Sequence, residues 1–313
     1  MIKVTNLTKK YGNHTAVNGI SFEIGDNTVL GFLGPNGAGK TTTMNMVCGY
    51  IASTDGEILI DGHDILQDPI AAKKCIGYLP EHPPLYSDML VSEYLAFVYE
   101  LKKVKGKDKK EKEAHLADVM EKVGLTHVKD RVIKNLSKGY QQRVGFGQAL
   151  VGDPKILILD EPTVGLDPNQ IVEIRSLIRS LGDNHTVVLS SHILSEISAV
   201  CDEIIIINKG NIVATGETKE LLENATKAGA VKLTAMQSAE SVLSEQPFVK
   251  AYETLSEQED AFTYQVELED ESKLKDLSVA LSSAGIAVLE MHKNETSLEQ
   301  LFAQLTTEEE GNQ

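Results

Sequence analysis

The chain has 313 residues, 42% of them hydrophobic and 24% charged, which predicts a folded protein of two domains and excludes an intrinsically disordered one. Its net charge of −16 argues against a nucleic-acid-binding surface, because such surfaces are basic. No apolar run approaches the roughly 18 residues that span a bilayer. The three cysteines form no C-x-x-C pair, and such a scattered set is typical of reduced thiols in the cytosol.

The first predicted elements are antiparallel strands over residues 2–7 and 16–24. An apolar strand over residues 27–33 then leads into a glycine-rich loop, and the pattern that follows predicts a helix over residues 40–50. This order indicates an α/β core preceded by an antiparallel β region. Two further short strands are predicted at residues 56–60 and 76–79.

From about residue 85 to residue 145 the pattern changes to helices, which predicts a helical subdomain over 85–145. A basic run at residues 102–110 connects its two clearest helices. That run suits either contact with anionic lipid headgroups or, as we favour, a solvated connection. The two helices are predicted at residues 92–101 and 111–123.

Apolar strands that alternate with helices, as in a parallel sheet, are predicted further along the chain, at residues 155–159, 186–190 and 203–207.

The negative charge is concentrated at the C-terminal end of the chain. From Val231 onward, 5 lysines stand against 17 acidic residues, so this part carries −12 of the total −16. Such a break in composition indicates a domain boundary near residues 225–231. We therefore expect a first domain over residues 1–225, an accessory domain over 231–306 and a flexible tail over 307–313.

The accessory domain shows the element order βαββαβ, which is typical of a ferredoxin-like α+β sandwich. A capping box at Ser297 predicts a last helix that ends at residue 305. The earlier strands are predicted at residues 231–235, 249–255, 262–268 and 286–291, and the helices at 238–245 and 273–283.

The glycine-rich loop predicts a nucleotide triphosphate site. Glycines allow backbone N–H groups to cradle the β- and γ-phosphates, and the following helix adds its positive dipole end. Lys40 would neutralise phosphate charge and the Thr41 hydroxyl would ligate Mg²⁺. A purely structural glycine turn does not need the complete G-x-x-x-x-G-K-T pattern. The predicted contacts are Gly34, Pro35, Asn36, Gly37, Ala38, Gly39, Lys40, Thr41 and Thr42.

Two adjacent carboxylates, Asp160 and Glu161, end the apolar strand at residues 155–159. Ligands of α/β sheets bind at the carboxyl ends of the strands, so both side chains are candidates for the site. Asp160 would hold Mg²⁺, directly or through water. Glu161 would act as the general base that polarises the attacking water.

A third motif, Leu136-Ser137-Lys138-Gly139, lies between the loop and the two carboxylates. The three motifs in this order resemble the Walker A, signature and Walker B motifs of ATP-binding cassette (ABC) ATPases, and the resemblance covers about residues 1–220. It implies a P-loop α/β cassette with a mixed core sheet, an antiparallel β subdomain and a helical subdomain. It also implies ATP and Mg²⁺ as cofactors.

The resemblance assigns further residues to the site. Tyr11 matches the aromatic residue that stacks on adenine, and Asp167 matches the D-loop aspartate that communicates between subunits. His192 matches the switch histidine that contacts the γ-phosphate and supports the general base. Ser137 and Gly139 match signature residues that contact the γ-phosphate bound by the other subunit, which implies a head-to-tail dimer.

Three positions depart from the usual family pattern. Lys138 and Tyr140 replace the first glycine and the glutamine of L-S-G-G-Q. Glu81 stands where the family has the Q-loop glutamine. A carboxylate accepts a hydrogen bond from metal-bound water but does not donate one as an amide does, so the contact of Glu81 with Mg²⁺ stays open.

These departures and the C-terminal appendage resemble the bacterial exporter branch of drug, bacteriocin-immunity, sodium-efflux and gliding-associated ATPases. We therefore expect a cytoplasmic ATPase subunit, peripheral on the inner face of the cell membrane, whose separate permease subunits contact about residues 82–95. The alternatives are a soluble ABC ATPase without a permease and an importer ATPase. The accessory domain would brace the dimer, which we favour, or sense a ligand.

Overall fold

The computed structural model describes residues 1–104, 108–221, 230–258 and 261–293. The chain divides into two compact units, Met1–Glu217 and Thr218–Gln313. Most of the boundary that we predicted near residues 225–231 lies outside the described residues, which lack 222–229. None of the described helices combines the length and the apolarity that crossing a bilayer requires.

The first unit contains two sheets. In chain order its strands are β1 (Ile2–Tyr11), β2 (His14–Ile24), β3 (Val29–Leu33), β4 (Asp55–Ile60), β5 (His63–Asp64), β6 (Ile76–Leu79), β7 (Ile156–Asp160), β8 (Thr186–Ser191), β9 (Glu203–Asn208) and β10 (Asn211–Glu217). One sheet is antiparallel with the order β2-β1-β4-β5, and the other has the order β10-β9-β3-β8-β7-β6. The second sheet is parallel except at β10, which confirms the predicted α/β cassette fold.

The strands β3 and β7 explain where the site forms. Every residue of both strands is buried, as expected of parallel strands that are covered on both faces. The strand β8 lies between them, and its Ser190 is the register partner of Asp160. The glycine-rich loop after β3 and the carboxylates at the end of β7 therefore reach the same edge of the sheet.

Helices cover this sheet and form the region after β6. They are α1 (Lys40–Val47), α2 (Pro69–Lys74), α3 (Val91–Leu101), α4 (Lys109–Lys122), α5 (Lys138–Leu150), α6 (Pro168–Gly182) and α7 (Leu194–Val200). The helices α3, α4 and α5 contact one another, within the stretch where we predicted a helical subdomain. The helix α1 ends before the predicted residue 50, because Gly49 turns the chain with φ of 67°.

The basic run after α3 differs from the prediction at its first residue. We expected solvated side chains, but Lys102 Nζ donates hydrogen bonds to the carbonyl oxygens of Gln148, Ala149 and Val151, at 2.8, 3.0 and 2.7 Å. These carbonyls end α5 and have no partner within that helix. Burial of the ammonium lowers the pKa of Lys102 to about 8. Lys102 therefore closes the end of α5, and residues 105–107 lie outside the described chain.

The second unit is the predicted ferredoxin-like sandwich. Its elements are β11 (Ala230–Ala235), α8 (Glu240–Glu245), β12 (Val249–Gln258), β13 (Ala261–Leu268), α9 (Leu274–Ser283) and β14 (Val288–Lys293). The antiparallel sheet has the order β12-β13-β11-β14, and it has its own core, in which Leu233, Tyr264 and Leu281 are buried. The helix predicted at 297–305 and the tail at 307–313 lie outside the described residues.

Candidate functional site

A cavity of about 430 Å³ lies at the edge of the parallel sheet, where β3 and β7 end. It collects residues from the glycine-rich loop, from β1 and β2, from the turn after β7 and from the turn after β8. Its lining residues are Tyr11, His14, Ala16, Asn36, Gly37, Gly39, Lys40, Thr41, Thr42, Glu81, Glu161, Val164 and His192.

The loop glycines are required for different reasons. Gly39 has φ of 107°, a conformation that L side chains rarely adopt, and a Cβ there would lie 2.6 Å from the Ala16 carbonyl oxygen. A Cβ at Gly34 would lie 2.4 Å from the carbonyl oxygen of Ile207. Gly37 has φ of 81° but open space beside it. Close packing fixes Gly34 and Gly39, while backbone conformation alone fixes Gly37.

Lys40 is only 6% exposed and bridges the loop and a carboxylate. Its Nζ donates hydrogen bonds to the carbonyl oxygens of Gly34, at 2.8 Å, and Pro35, at 3.3 Å. The same ammonium lies 3.5 Å from Glu161 Oε1. A buried ammonium needs such partners, because burial without them is costly, and an incoming phosphate could replace the carbonyls.

Asp160 is the most buried acidic residue of this site, at 2% exposure. Its Oδ1 accepts hydrogen bonds from Ser190 Oγ at 2.5 Å and from Thr41 Oγ1 at 3.4 Å. Burial raises the pKa of Asp160, the two hydroxyl hydrogen bonds oppose that rise, and the negative charge of Glu81 adds to it. Asp160, Thr41 and Glu81 are therefore close enough to interact.

The donor set of these three residues suits Mg²⁺, which prefers carboxylate and hydroxyl oxygens and keeps several waters and phosphate ligands. Within the described parts of the chain, no three His, Cys, Asp or Glu side chains converge as a ready metal site. A metal at Asp160 would thus depend on ligands from the nucleotide.

Glu161 follows β7 in a left-handed conformation, with φ of 46°, which is costly for a residue with a side chain and is found most often at functional sites. Its backbone N–H donates to Ser190 Oγ at 3.0 Å, so one serine hydroxyl contacts both adjacent acidic residues. The Glu161 Oε2 atom lies 2.9 Å from His192 Nδ1. The carboxylate therefore faces the cavity between an ammonium and an imidazole.

Tyr11 stands at the rim of the cavity and is 51% exposed. It is the register partner of His14 across the β1–β2 turn, and Lys9 Nζ lies 5.1 Å from the centre of its ring. An exposed aromatic face at a cavity rim can stack on a planar ring. The sequence interpretation missed His14, although its place two residues after the turn glycine could have indicated it, and it missed Val164 and Ser190.

Seven predicted residues are not among those that line the cavity: Gly34, Pro35, Ala38 and Asp160 belong to the loop and to β7, whereas Ser137, Gly139 and Asp167 lie elsewhere. Ser137 is the N-cap of α5, and its Oγ accepts a hydrogen bond from the Tyr140 N–H at 3.4 Å. Asp167 is the N-cap of α6, and its Oδ1 accepts from the Gln170 N–H at 3.0 Å. Gly139 is buried. One chain therefore brings together the loop, Tyr11, Glu81, Asp160, Glu161 and His192, and leaves the signature and D-loop residues elsewhere.

Comparison with known proteins places these motifs in a large family. The family described as ABC transporter matches residues 17–164. The bacitracin transport ATP-binding protein BcrA of Bacillus licheniformis is 37% identical over 308 residues, which cover 97% of this chain and 97% of that protein. The linearmycin resistance ATP-binding protein LnrL of Bacillus subtilis (strain 168) is 32% identical over 314 residues, 98% of each.

A solved structure supports the same fold for the first unit. The structure of cbiO1 from Clostridium perfringens, part of the ABC transporter complex cbiONQ, is 28% identical, with a TM-score of 0.65. It covers 71% of this chain and 90% of that one. The two bacterial relatives, in contrast, resemble the chain over nearly its full length.

Proposed function

The chain belongs to the ABC transporter family and is an ATP-binding subunit of the ATP-hydrolysing cassette type; from this premise, we propose that it powers an exporter. The observation that carries the proposal is the full-length similarity to a bacitracin transport protein and a linearmycin resistance protein. That similarity includes the acidic accessory unit, beyond the part that the cbiO1 structure covers. The proposed cargo is an antimicrobial compound that is removed from the cell.

In the proposed site, the adenine ring stacks on Tyr11 and the phosphates occupy the loop from Gly34 to Thr42. Lys40 exchanges its carbonyl partners for phosphate oxygens, which gain more from a nearby cation. Thr41 and Asp160 would hold Mg²⁺, and the Glu81 carboxylate lies close enough to Asp160 to interact with it. A magnesium ion held there would supply positive charge against the charge that develops on the phosphates.

Hydrolysis is assigned to the residues around β7 and β8. Glu161 accepts the proton of the attacking water, and His192 holds the carboxylate in place through the 2.9 Å contact. An oriented general base contributes about 10²–10⁴ in rate. The left-handed backbone at Glu161 supports this role, because strain at one residue is retained where geometry matters for chemistry.

Cassettes of this family dimerise and pair with membrane permease subunits. We infer a head-to-tail dimer, in which Ser137, Gly139 and Asp167 of one chain complete the ATP site of the other. The position of these residues away from their own cavity supports it. A chain that turned over ATP at a rate independent of protein concentration would contradict it.

The permease contact is proposed at residues 82–95. His82 and Tyr86 are exposed there, and the Tyr86 ring packs edge-on against Phe97 of α3 at 5.4 Å. This segment directly follows Glu81, which lines the ATP cavity. A permease segment that bears on it would therefore act next to the nucleotide, at the inner face of the membrane.

We propose that the accessory unit braces the dimer. It has its own core and no group of metal-ligating side chains among its described residues. Deletion of residues 231–313 should weaken ATP-dependent dimerisation, as measured by the protein concentration at which half of the chains pair. Unchanged dimerisation after this deletion would leave ligand sensing as the role of the unit.

Export is tested in cells and in vesicles. A strain that lacks the chain and its permease should become more sensitive to bacitracin or linearmycin, and re-expression of both should restore growth. The Glu161→Gln variant should fail to restore it. In inside-out vesicles that contain the complex, ATP should drive the compound into the lumen; ATP-dependent loss from the lumen would make the system an importer.

A further inference from the structure

The side chain of Lys138, the first residue of α5, lies across the backbone of Gly165. A Cβ at Gly165 would come within 1.9 Å of Lys138 Nζ and 3.1 Å of its Cε. Gly165 also has φ of 70°, which favours glycine independently. The φ of Gly165 favours glycine at the turn of the D-loop, and the end of the exposed Lys138 side chain lies beside it.

In a second contact, the glycine belongs to the signature motif and the long side chain comes from α6. A Cβ at Gly139 would lie 2.6 Å from Gln170 Cδ, in the first turn of α6. The signature motif thus presents a long side chain to a glycine of the D-loop, and α6 presents a long side chain to a glycine of the signature motif. Both contacts join the signature motif to the segment around the start of α6, each through the end of a long side chain that lies over a glycine.

The rest of α5 is held against the segment that follows Glu161. Gln142 is buried, and its Nε2 donates to the Pro162 carbonyl oxygen at 3.0 Å. The next residue is Arg143, and its Nη2 lies 2.5 Å from Glu173 Oε2 of α6. The carbonyl oxygen that Gln142 binds belongs to the residue next to Glu161, so α5 is tied to the hydrolytic end of its own site.

The stability of α5 alone does not account for a lysine at position 138. A positive charge at the first position of a helix opposes the helix dipole, and the first turn of α5 contains no acidic residue.

We propose that Lys138 is a positioning residue that locks the signature turn (136–139) and the D-loop (165–168) into one unit. The proposal rests on the head-to-tail dimer proposed above, in which both turns complete the partner's ATP site. Lys138 then controls the position in which the signature turn and the D-loop meet the ATP site of the partner chain. It does not control how a single chain binds ATP.

The test is a double-mutant cycle in the Glu161→Gln background, with the variants Lys138→Gly, Gly165→Ala and their combination. Each single variant should raise the protein concentration for half-maximal ATP-dependent dimerisation about tenfold. The combination should raise it by clearly less than the product of the two single effects, since the contact between Lys138 and Gly165 is lost only once while the backbone strain of Gly165→Ala remains. Binding of a fluorescent ATP analogue to dilute, monomeric chains should stay within about twofold of the parent. Additive losses, or a parallel loss of monomer binding, would overturn the proposal.

The control is Lys134→Gly, which removes a lysine four residues earlier whose ammonium binds Asp88 at 2.6 Å. Hydrogen exchange in the absence of nucleotide gives a second readout that does not need dimers. Amides of residues 163–167 should exchange faster in Lys138→Gly than in Lys134→Gly. If the Glu161→Gln parent does not dimerise with ATP, the proposed function fails, whereas equal exchange in the two glycine variants defeats the role of Lys138 alone.

Discussion

The Glu161 carboxylate is held at both oxygens, with His192 Nδ1 2.9 Å from Oε2 and Lys40 Nζ 3.5 Å from Oε1. Both basic residues line the cavity, and the carboxylate itself is buried. When phosphate takes over the ammonium, Oε1 becomes available to water while His192 keeps the group oriented. Binding and hydrolysis should therefore be separable at Glu161.

We expect Glu161→Gln to bind ATP and to lose hydrolysis by about 10²–10⁴ in kcat, because the amide keeps the shape of the side chain but cannot accept the proton of water. ATP should trap this variant as a dimer in size-exclusion chromatography. Glu100→Gln is the matched control, since Glu100 pairs with Lys112 at the surface. Hydrolysis at the parental rate would exclude Glu161 as the base.

Asp160→Asn should make the nucleotide-free chain more stable and inactive. Burial raises the pKa of Asp160, which means that the folded state disfavours the charged form, and the neutral amide removes that penalty at pH 7 while still accepting from Ser190 and Thr41. The Tm should rise, by about 2–4 °C for each kcal/mol that is relieved, and Mg²⁺-dependent ATP hydrolysis should be lost. A lower Tm in differential scanning calorimetry would contradict this reasoning.

Tyr11→Ala should raise KM for ATP about two- to tenfold with little effect on kcat, since aromatic stacking contributes about 0.5–1.5 kcal/mol. Tyr11→Phe retains the ring and should behave as the parent. Steady-state hydrolysis over a range of ATP concentrations separates the two parameters. A fall in kcat with unchanged KM would place the tyrosine outside the adenine contact.

The contribution of Lys102 to stability should depend on pH in a defined window. Its pKa is lowered to about 8 in the fold from the usual 10.5, so between these values the unfolded chain binds more protons and stability rises with pH. Above pH 8, the free energy of unfolding of the parent should therefore rise relative to that of Lys102→Met. The rise should not exceed about 1.4 kcal/mol per pH unit. Urea unfolding at pH 7, 8 and 9 measures it.

The control for this prediction is Lys103→Met, which changes the neighbouring exposed lysine. Its difference from the parent should stay constant over the same pH range. A slope in Lys103→Met, or none in Lys102→Met, would remove the special role of the buried ammonium.

Elements with a strong local pattern were predictable from the sequence. The strand β6 has the predicted bounds, because Pro80, which has no N–H to donate to a sheet, directly follows it. The β11 to β14 sheet follows from the predicted element order in the same way. Lys102 was not predictable, because its neighbour Lys103 is an exposed residue of the same type and its partners lie at the end of another helix.

The sequence by itself determined the loop chemistry, the adjacent pair Asp160 and Glu161, and the family of the chain, since these depend on residues that are close along the backbone. Only the tertiary structure decided that Ser190 contacts both acidic residues, that Glu161 lies between Lys40 and His192, and that Lys138 covers Gly165. The physical reason is the sheet. Its order and register bring together segments that lie far apart along the chain, and no local pattern records which segments will meet.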